Sequence, residues 1–81
     1  MEKVVFLGCN RGISKKSGKD FAFIHLGVPF DENHGVGYHA EHFFIDQNVY
    51  KMVCDVKPIS YIQADIRFIN GASALLGIEI N

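Results

Sequence analysis

The sequence is poor in the residues that mark several common protein classes. It has no tryptophan and only two cysteines, Cys9 and Cys54, which lie far apart and form no CxxC pair. This cysteine usage argues against a secreted disulfide framework and favours free thiols in a reducing compartment. No apolar run approaches the roughly 20 residues of a membrane-spanning helix, and no charged leader precedes an apolar segment. We therefore expect a cytoplasmic protein without a membrane partner.

The chain is also short of charge, with 21% charged residues and a net charge of −1. That balance argues against a dedicated nucleic-acid-binding protein, because such proteins are usually basic. The charges are unevenly distributed, however. Residues 1–19 carry a net charge of +4, residues 20–46 carry −5, and the remainder is balanced. A polyanion would respond to the local field of the first segment rather than to the average.

The remaining composition is typical of one small globular domain, and its hydrophobic residues follow mainly a period of two. A chain of 81 residues, 48% of them hydrophobic, builds one modest core. We predict a single domain, residues 1–81, with five strands and one short helix. The predicted strands are Glu2–Cys9, Asp20–Val28, Tyr38–Ile45, Ile59–Phe68 and Ser73–Ile80, and the predicted helix runs from Gln47 to about Cys54.

Local signals support this division. The segment Asn10–Lys19 is predicted as a mobile loop, since it combines glycines, serines and cations. Asp46 is a plausible helix N-cap, Pro58 prevents the helix from continuing, and Asn70-Gly71 is a hairpin turn signal. We predict an all-β fold with a small helical contribution: a five-stranded OB-like Greek-key barrel whose helix, between strands three and four, plugs one end. The alternative is an SH3-like barrel, which would not need that helix.

The strand Asp20–Val28 carries aromatic rings on the side that the core does not need. Ala22, Ile24, Leu26 and Val28 alternate onto one face, which suffices as the buried face. Three rings share the other face: Phe21, Phe23 and His25. The predicted loop before the strand carries four cations: Arg11, Lys15, Lys16 and Lys19. Cations along the phosphates and flat rings beneath the bases are the two components of single-strand binding, and each stack contributes about 1–3 kcal/mol. The alternative is that Phe21 and Phe23 pack in a second core layer or a homodimer interface.

The strand Ile59–Phe68 presents a second polar face, which includes Tyr61 and Arg67. If this strand lies beside the aromatic strand, Tyr61 and Arg67 would extend the binding surface. If it does not, they belong to an ordinary polar exterior. The sequence leaves both readings open, because it does not fix which strands are neighbours.

The segment Ser14–Leu26, with its pattern S-x-K-S-G-K-x-F entering an aromatic strand, resembles the small single-stranded-DNA-binding proteins of filamentous phages and their plasmid relatives. The resemblance implies an OB-like barrel that acts as a homodimer and coats replication intermediates. It also implies that Lys16 and Lys19 occupy basic-loop positions and that Phe21 lies on the DNA-facing strand. The family can present an aromatic ring near the tip of its final hairpin. Here the nearest ring is Phe68, which alternation places on the core side.

Two other constellations do not favour a function. His34, His39, His42 and Cys54 are potential zinc donors, but His39 and His42 point to opposite faces of one strand, so we expect no metal site. Four acidic residues could suggest a catalytic carboxylate pair, but no nucleophile motif accompanies them and a chain this short has little volume for a cleft: Asp31, Glu32, Glu41 and Asp46. We therefore expect no enzyme and no cofactor.

The sequence therefore predicts a protein that binds single-stranded DNA, with RNA possible, in phage or plasmid replication or transfer. We expect no strong sequence preference. The alternative is an SH3-like or OB-like protein–protein interaction module that uses Phe21, Phe23 and Tyr61 as a peptide platform. Salt dependence would distinguish the two, since only the contacts to phosphates weaken steeply as salt rises.

Overall fold

The computed structural model of this chain describes residues 1–80. It contains five strands and one helix in the order β-β-β-α-β-β that the sequence predicts. The elements are β1 (Glu2–Ile13), β2 (Asp20–Pro29), β3 (Tyr38–Ile45), α1 (Gln47–Val53), β4 (Ser60–Ile69) and β5 (Ala72–Glu79). The protein is therefore mostly β, as expected, with one short helix.

All five strands belong to one antiparallel sheet, in the order β3-β2-β1-β4-β5. Because neighbouring strands alternate in direction, β3 and β5 run parallel to each other at the two edges. Among residues 1–80 no ladder of hydrogen bonds joins these edges, so the sheet is open and the predicted closed barrel is not confirmed. α1 lies near this gap, where Val49 and Met52 line a groove of about 320 Å³ together with residues of β3 and β5.

One face of the sheet forms the core. Ala22, Ile24 and Leu26 of β2 are fully buried and Val28 nearly so, which confirms the predicted buried face of this strand. The rest of the buried cluster comes from the other strands and the helix: Val4, Phe6, Phe43, Val53, Ile62 and Ala64. Burying each large apolar side chain contributes about 1.5–3 kcal/mol. We call the opposite side of the sheet the outer face.

The helix is short and held at both ends. The carboxylate of Asp46 accepts a hydrogen bond of 2.8 Å from the Val49 amide, which confirms the predicted N-cap. At the other end, Val53 is fully buried in the core. In the described part of the chain no helix has the length and apolar character needed to cross a bilayer.

β1 is four residues longer than the sequence predicts, so the first four of the ten residues of the predicted loop Asn10–Lys19 are strand instead. Residues Asn10–Ile13 pair with β2, and only six residues, 14–19, form the connection. The pairing register of β1 with β2 shifts between Phe6 and Gly8. Because of this irregularity, the core side of β1 is taken by Phe6 before the shift and by Cys9 after it. The connection is also ordered by hydrogen bonds: the Ser14 amide donates to the Lys19 carbonyl at 2.9 Å.

Two hairpins extend from the shared centre in opposite directions. β1 pairs with β4 only over Glu2–Phe6, so residues 8–13 of β1 and 20–25 of β2 form one extension, the β1–β2 arm. Residues 65–69 of β4 pair with β5 alone and form the β4–β5 arm. Its turn confirms the Asn70-Gly71 prediction, since both residues have positive φ, 51° and 80°. Phe68 is 77% exposed on this arm, so its predicted place in the core is wrong.

Candidate nucleic-acid interface

The outer face of the β1–β2 arm and of the adjoining strand β3 carries a continuous cluster of aromatic side chains. β2 and β3 pair so that Phe23 lies opposite Phe44 and His25 opposite His42. Directly opposed residues of antiparallel strands point to the same face, so the two strands contribute to one surface. We call this cluster the aromatic platform; it consists of Phe21, Phe23, His25, His42 and Phe44.

The rings of the platform touch one another. The Phe23 and Phe44 centroids lie 4.4 Å apart with an interplanar angle of 31°, and Phe21 meets Phe23 edge-on at 5.8 Å. His42 contacts Phe23 at 5.5 Å and His25 at 5.9 Å. Phe21 and Phe23 are half-buried by these contacts, whereas Phe44 is 76% exposed. Phe44 is therefore the ring whose face is most available to a ligand.

Two residues of β1 support the platform from its side. The Asn10 side-chain oxygen lies 2.7 Å from Nε2 of His25, a hydrogen bond that fixes the imidazole orientation. The ring of Phe21 covers Gly12, where an added Cβ would lie only 2.8 Å from the ring. Gly12 therefore lets Phe21 lie flat against β1 instead of standing away from the sheet.

The basic loop adjoins the platform. Lys15, Lys16 and Lys19 are all exposed, and the loop that carries them ends at the strand residue before Phe21. Gly18 has a φ of 70° and its amide donates to the Ser14 carbonyl at 2.8 Å, which closes the loop into a compact turn. Three cations are thus held within one short segment next to the rings.

No carboxylate lies on the platform side of β2 or β3. The acidic residues of these strands are Asp20 and Glu41, and the period-two alternation directs both to the other face. The two carboxylates of these strands therefore do not offset the lysines of the loop on the platform side.

Arg11 does not join this surface. The sequence placed it in the loop, but it lies on β1 opposite Ala22, on the core side of the sheet. Its guanidinium carbon is 4.9 Å from the centroid of the Tyr50 ring on α1. That cation–π contact gives Arg11 a structural partner and separates it from Phe21 and Phe23.

Tyr61 and Arg67 lie apart from each other. Tyr61 is opposite Val5 on the outer face, near the centre of the sheet, and β1 separates β4 from the aromatic strand β2. Arg67 is farther along the β4–β5 arm, and its Nε lies 3.3 Å from the Asp65 carboxylate. The predicted site residues therefore fall into three groups: the loop with the platform, Tyr61 at the centre, and Arg67 at the far end.

The centre of the outer face holds a second pair of rings. Tyr38 and Tyr61 line one groove with Val5 and Gly27, and both are about half exposed, 50% and 52%. The neighbouring hydroxyl of Tyr61 raises the pKa of the Tyr38 phenol above its ordinary value. The Nζ atom of Lys3 lies 4.3 Å from the centroid of the Tyr61 ring.

Other reactive side chains do not gather into a site. Among residues 1–80 no three His, Cys, Asp or Glu side chains converge in a way that could hold a metal ion. His34 pairs with Asp31 at 3.5 Å on the exposed β2–β3 loop. Both cysteines are free, and burial, with a smaller contribution from Cys54, raises the pKa of the Cys9 thiol.

The sequence did not identify His42 and Phe44 as parts of this surface, and it left the role of Tyr38 open. All three side chains alternate onto one face of their strand. What the sequence lacked was the pairing of β2 with β3, although an eight-residue connection between two strands is compatible with an antiparallel hairpin. Comparison with known protein families, with curated proteins and with solved structures finds no match to this chain.

Proposed function

We propose that the protein binds single-stranded nucleic acid, DNA first, without strong sequence preference and without catalysis. The observation that carries this proposal is the exposed ring of Phe44, packed on Phe23 on a side of β2 and β3 that carries none of the carboxylates of these two strands. Three lysines lie in the loop that leads into β2. Every base has a flat face that can stack on such a ring, and the lysines would neutralise phosphates. Phe21, Phe23 and His25 would form the floor of the site. Arg11 and Arg67 are less suited than predicted, because each is held by a partner elsewhere.

The topology supports an OB-like assignment as part of the proposal. The OB fold is a partly open five-stranded Greek-key barrel that binds oligonucleotides on the face of strands two and three and with the loop between strands one and two. Here the platform occupies the outer face of β2 and β3, and the basic loop joins β1 to β2. An open seam between β3 and β5 does not interfere with this face. A role in phage or plasmid replication or transfer rests on the resemblance of Ser14–Leu26 alone.

Salt dependence tests the proposal directly. Three phosphate contacts would give a log–log slope of about −2, so binding of a labelled oligo-dT should weaken roughly 20-fold between 50 and 200 mM salt. Lys16→Ala should reduce the slope by about 0.7, whereas Lys51→Ala on α1 is the matched control that should leave it unchanged. Absence of binding at low salt would remove the proposal.

A peptide-binding module is the second candidate, and the same exposed apolar ring of Phe44 favours it. An apolar peptide contact depends little on salt, since it releases no counterions. Binding of unrelated peptides by the platform, together with a flat salt response and no affinity for oligo-dT, would support this candidate over the first.

Homodimerisation belongs to the proposal as well. The edge strands β3 and β5 are unpaired within residues 1–80, and Leu76 and Met52 are about half exposed beside the groove between them. Exposed apolar edges of this kind are typical of association surfaces. A dimer would raise the affinity for a long strand by avidity. Sedimentation equilibrium tests this directly: Leu76→Glu should shift the protein toward monomer, and a wild-type protein that is monomeric at all concentrations would contradict it.

A further inference from the structure

Tyr38, Tyr61 and Lys3 lie on the same outer face as the platform, and a path of exposed or small residues joins them to it. Along β3, Phe44, His42, Ala40 and Tyr38 alternate onto this face. Tyr38 and Tyr61 then flank Gly27 and Val5 in a groove of about 420 Å³. Gly27 keeps the groove floor low, since an added Cβ there would reach Val5 at 3.4 Å and Tyr38 at 3.7 Å.

From these contacts we propose that Tyr38, Tyr61 and Lys3 form a second stacking and phosphate-binding position, so that one nucleic-acid strand runs diagonally from the basic loop across the platform to Tyr61. This inference rests on the proposed function and extends it by defining the length and direction of the ligand track. Neither Lys3 nor Tyr38 is needed for binding at the platform itself.

Charge complementarity supports nucleic acid as the occupant of the groove. Lys3 holds its ammonium over the Tyr61 ring, where a phosphate between two stacked bases would pass. Beyond Lys3 the outer face becomes acidic. Gln63 of β4 lies opposite Lys3, and Glu79 of β5 lies opposite Gln63. Asp65 also lies past Tyr61, paired with Arg67. A polyanion therefore finds cations at both ends of the track, the loop lysines at one end and Lys3 at the other.

The dimensions fit a short single strand. Phe44 and Tyr61 are on strands three positions apart in the sheet and about four residues apart in register. With strands about 4.8 Å apart and about 3.3 Å per residue, the diagonal is about 20 Å. That length corresponds to the lower end of the site sizes of about 4–16 nucleotides found per OB fold.

Oligonucleotide length separates the two positions experimentally. We would measure affinity for a dT dodecanucleotide and for a dT trinucleotide, which is shorter than the smallest site of about 4 nucleotides. The parent protein carries Tyr50→Phe, because Tyr50 lies on α1 and its removal leaves Tyr38 and Tyr61 as the only tyrosines. Their fluorescence should be quenched as the dodecanucleotide saturates the protein.

Tyr61→Ala should weaken dodecanucleotide binding roughly five- to 150-fold and trinucleotide binding by no more than about twofold. Tyr61→Phe keeps the ring, so it should bind the dodecanucleotide like the parent even though it lacks the hydroxyl. Lys3→Ala, at an exposed position, should lower the salt slope for the dodecanucleotide by about 0.7.

The results that would overturn the inference are distinct from those that would overturn the function. If Phe44→Ala weakens binding while Tyr61→Ala and Lys3→Ala bind the dodecanucleotide like the parent, the second position does not exist and the proposed function stands. If tyrosine fluorescence is unchanged at saturation, the strand does not reach Tyr38 and Tyr61. If the parent binds no oligonucleotide at low salt, the function and this inference both fail.

Discussion

The two hairpin arms expose aromatic rings to nearly the same extent, yet they differ in what surrounds those rings. Phe44, beside the β1–β2 arm, is 76% exposed, and Phe68 on the β4–β5 arm is 77% exposed. Phe44 packs on Phe23 of β2, the strand that the three loop lysines precede, whereas the charges near Phe68, Arg67 and Asp65, pair with each other. Exposure alone therefore does not identify a binding site in this protein. The proposed site rests instead on a supported ring near unpaired cations.

The largest expected effect tests whether the arms share one core. Phe6 is 2% exposed and lies where the arms meet, opposite Leu26 of β2 and Ser60 of β4. Phe6→Ala should lower the free energy of unfolding by about 3–5 kcal/mol, because it leaves a large cavity. Urea denaturation followed by circular dichroism should still show one transition. Two separate transitions would mean that the two arms fold independently, as two domains and not as parts of one.

The next prediction separates the arms by function. Phe44→Ala should weaken oligo-dT binding by about 1–3 kcal/mol, because it removes the most accessible stacking ring. Phe68→Ala removes an equally exposed ring from the other arm and should change the affinity by less than about 0.5 kcal/mol. Fluorescence anisotropy at low salt measures both. Equal losses for the two variants would show that exposure, and not the setting of the ring, determines binding.

A smaller effect is expected where β1 supports the platform. Gly12→Ala places a Cβ 2.8 Å from the Phe21 ring, which must then move away from β1. Overpacking of this kind costs about 1–3 kcal/mol, and we expect the lower end because a ring at the surface can shift. A double-mutant cycle with Phe21→Ala measures the coupling in thermal unfolding. Additive losses would show that the ring does not rest on Gly12.

Local features of this fold could be predicted from the sequence, whereas features that depend on strand pairing could not. The alternation in β2 correctly separated Ala22, Ile24 and Leu26 from the ring-bearing face, since a strand has a period of two whatever its neighbours are. Asp46 and Asn70-Gly71 were also identified correctly, because capping and tight turns depend on a few adjacent residues. The extra length of β1 was missed, since Arg11 and Gly12 have no strand preference and are extended only because β2 pairs with them.

The smallest expected effect concerns Tyr38 of β3 and Tyr61 of β4, which line one groove at the centre of the sheet. Because Tyr61 raises the pKa of Tyr38, the folded state holds that phenolic proton more tightly than the unfolded chain does. Its stabilising contribution is present below the ordinary tyrosine pKa and is lost as the pH rises through the folded-state pKa. Titration of tyrosinate absorbance should show one late-ionising tyrosine in the wild type and none in Tyr61→Phe. A late tyrosine that persists in Tyr61→Phe would assign the shift to another cause.

The sequence by itself determined the faces, turns and order of the elements, because these follow from the spacing and type of neighbouring residues. Only the tertiary structure decided which strands are neighbours. Strand pairing places Phe44 opposite Phe23, and it places Arg11 on the core side of the sheet, away from the platform. Ile59 shows the same division at one residue. A β-branched side chain disfavours its φ of 62°, but the Ile59 amide donates to the Phe6 carbonyl at 2.7 Å, a contact that exists only after β1 and β4 have come together.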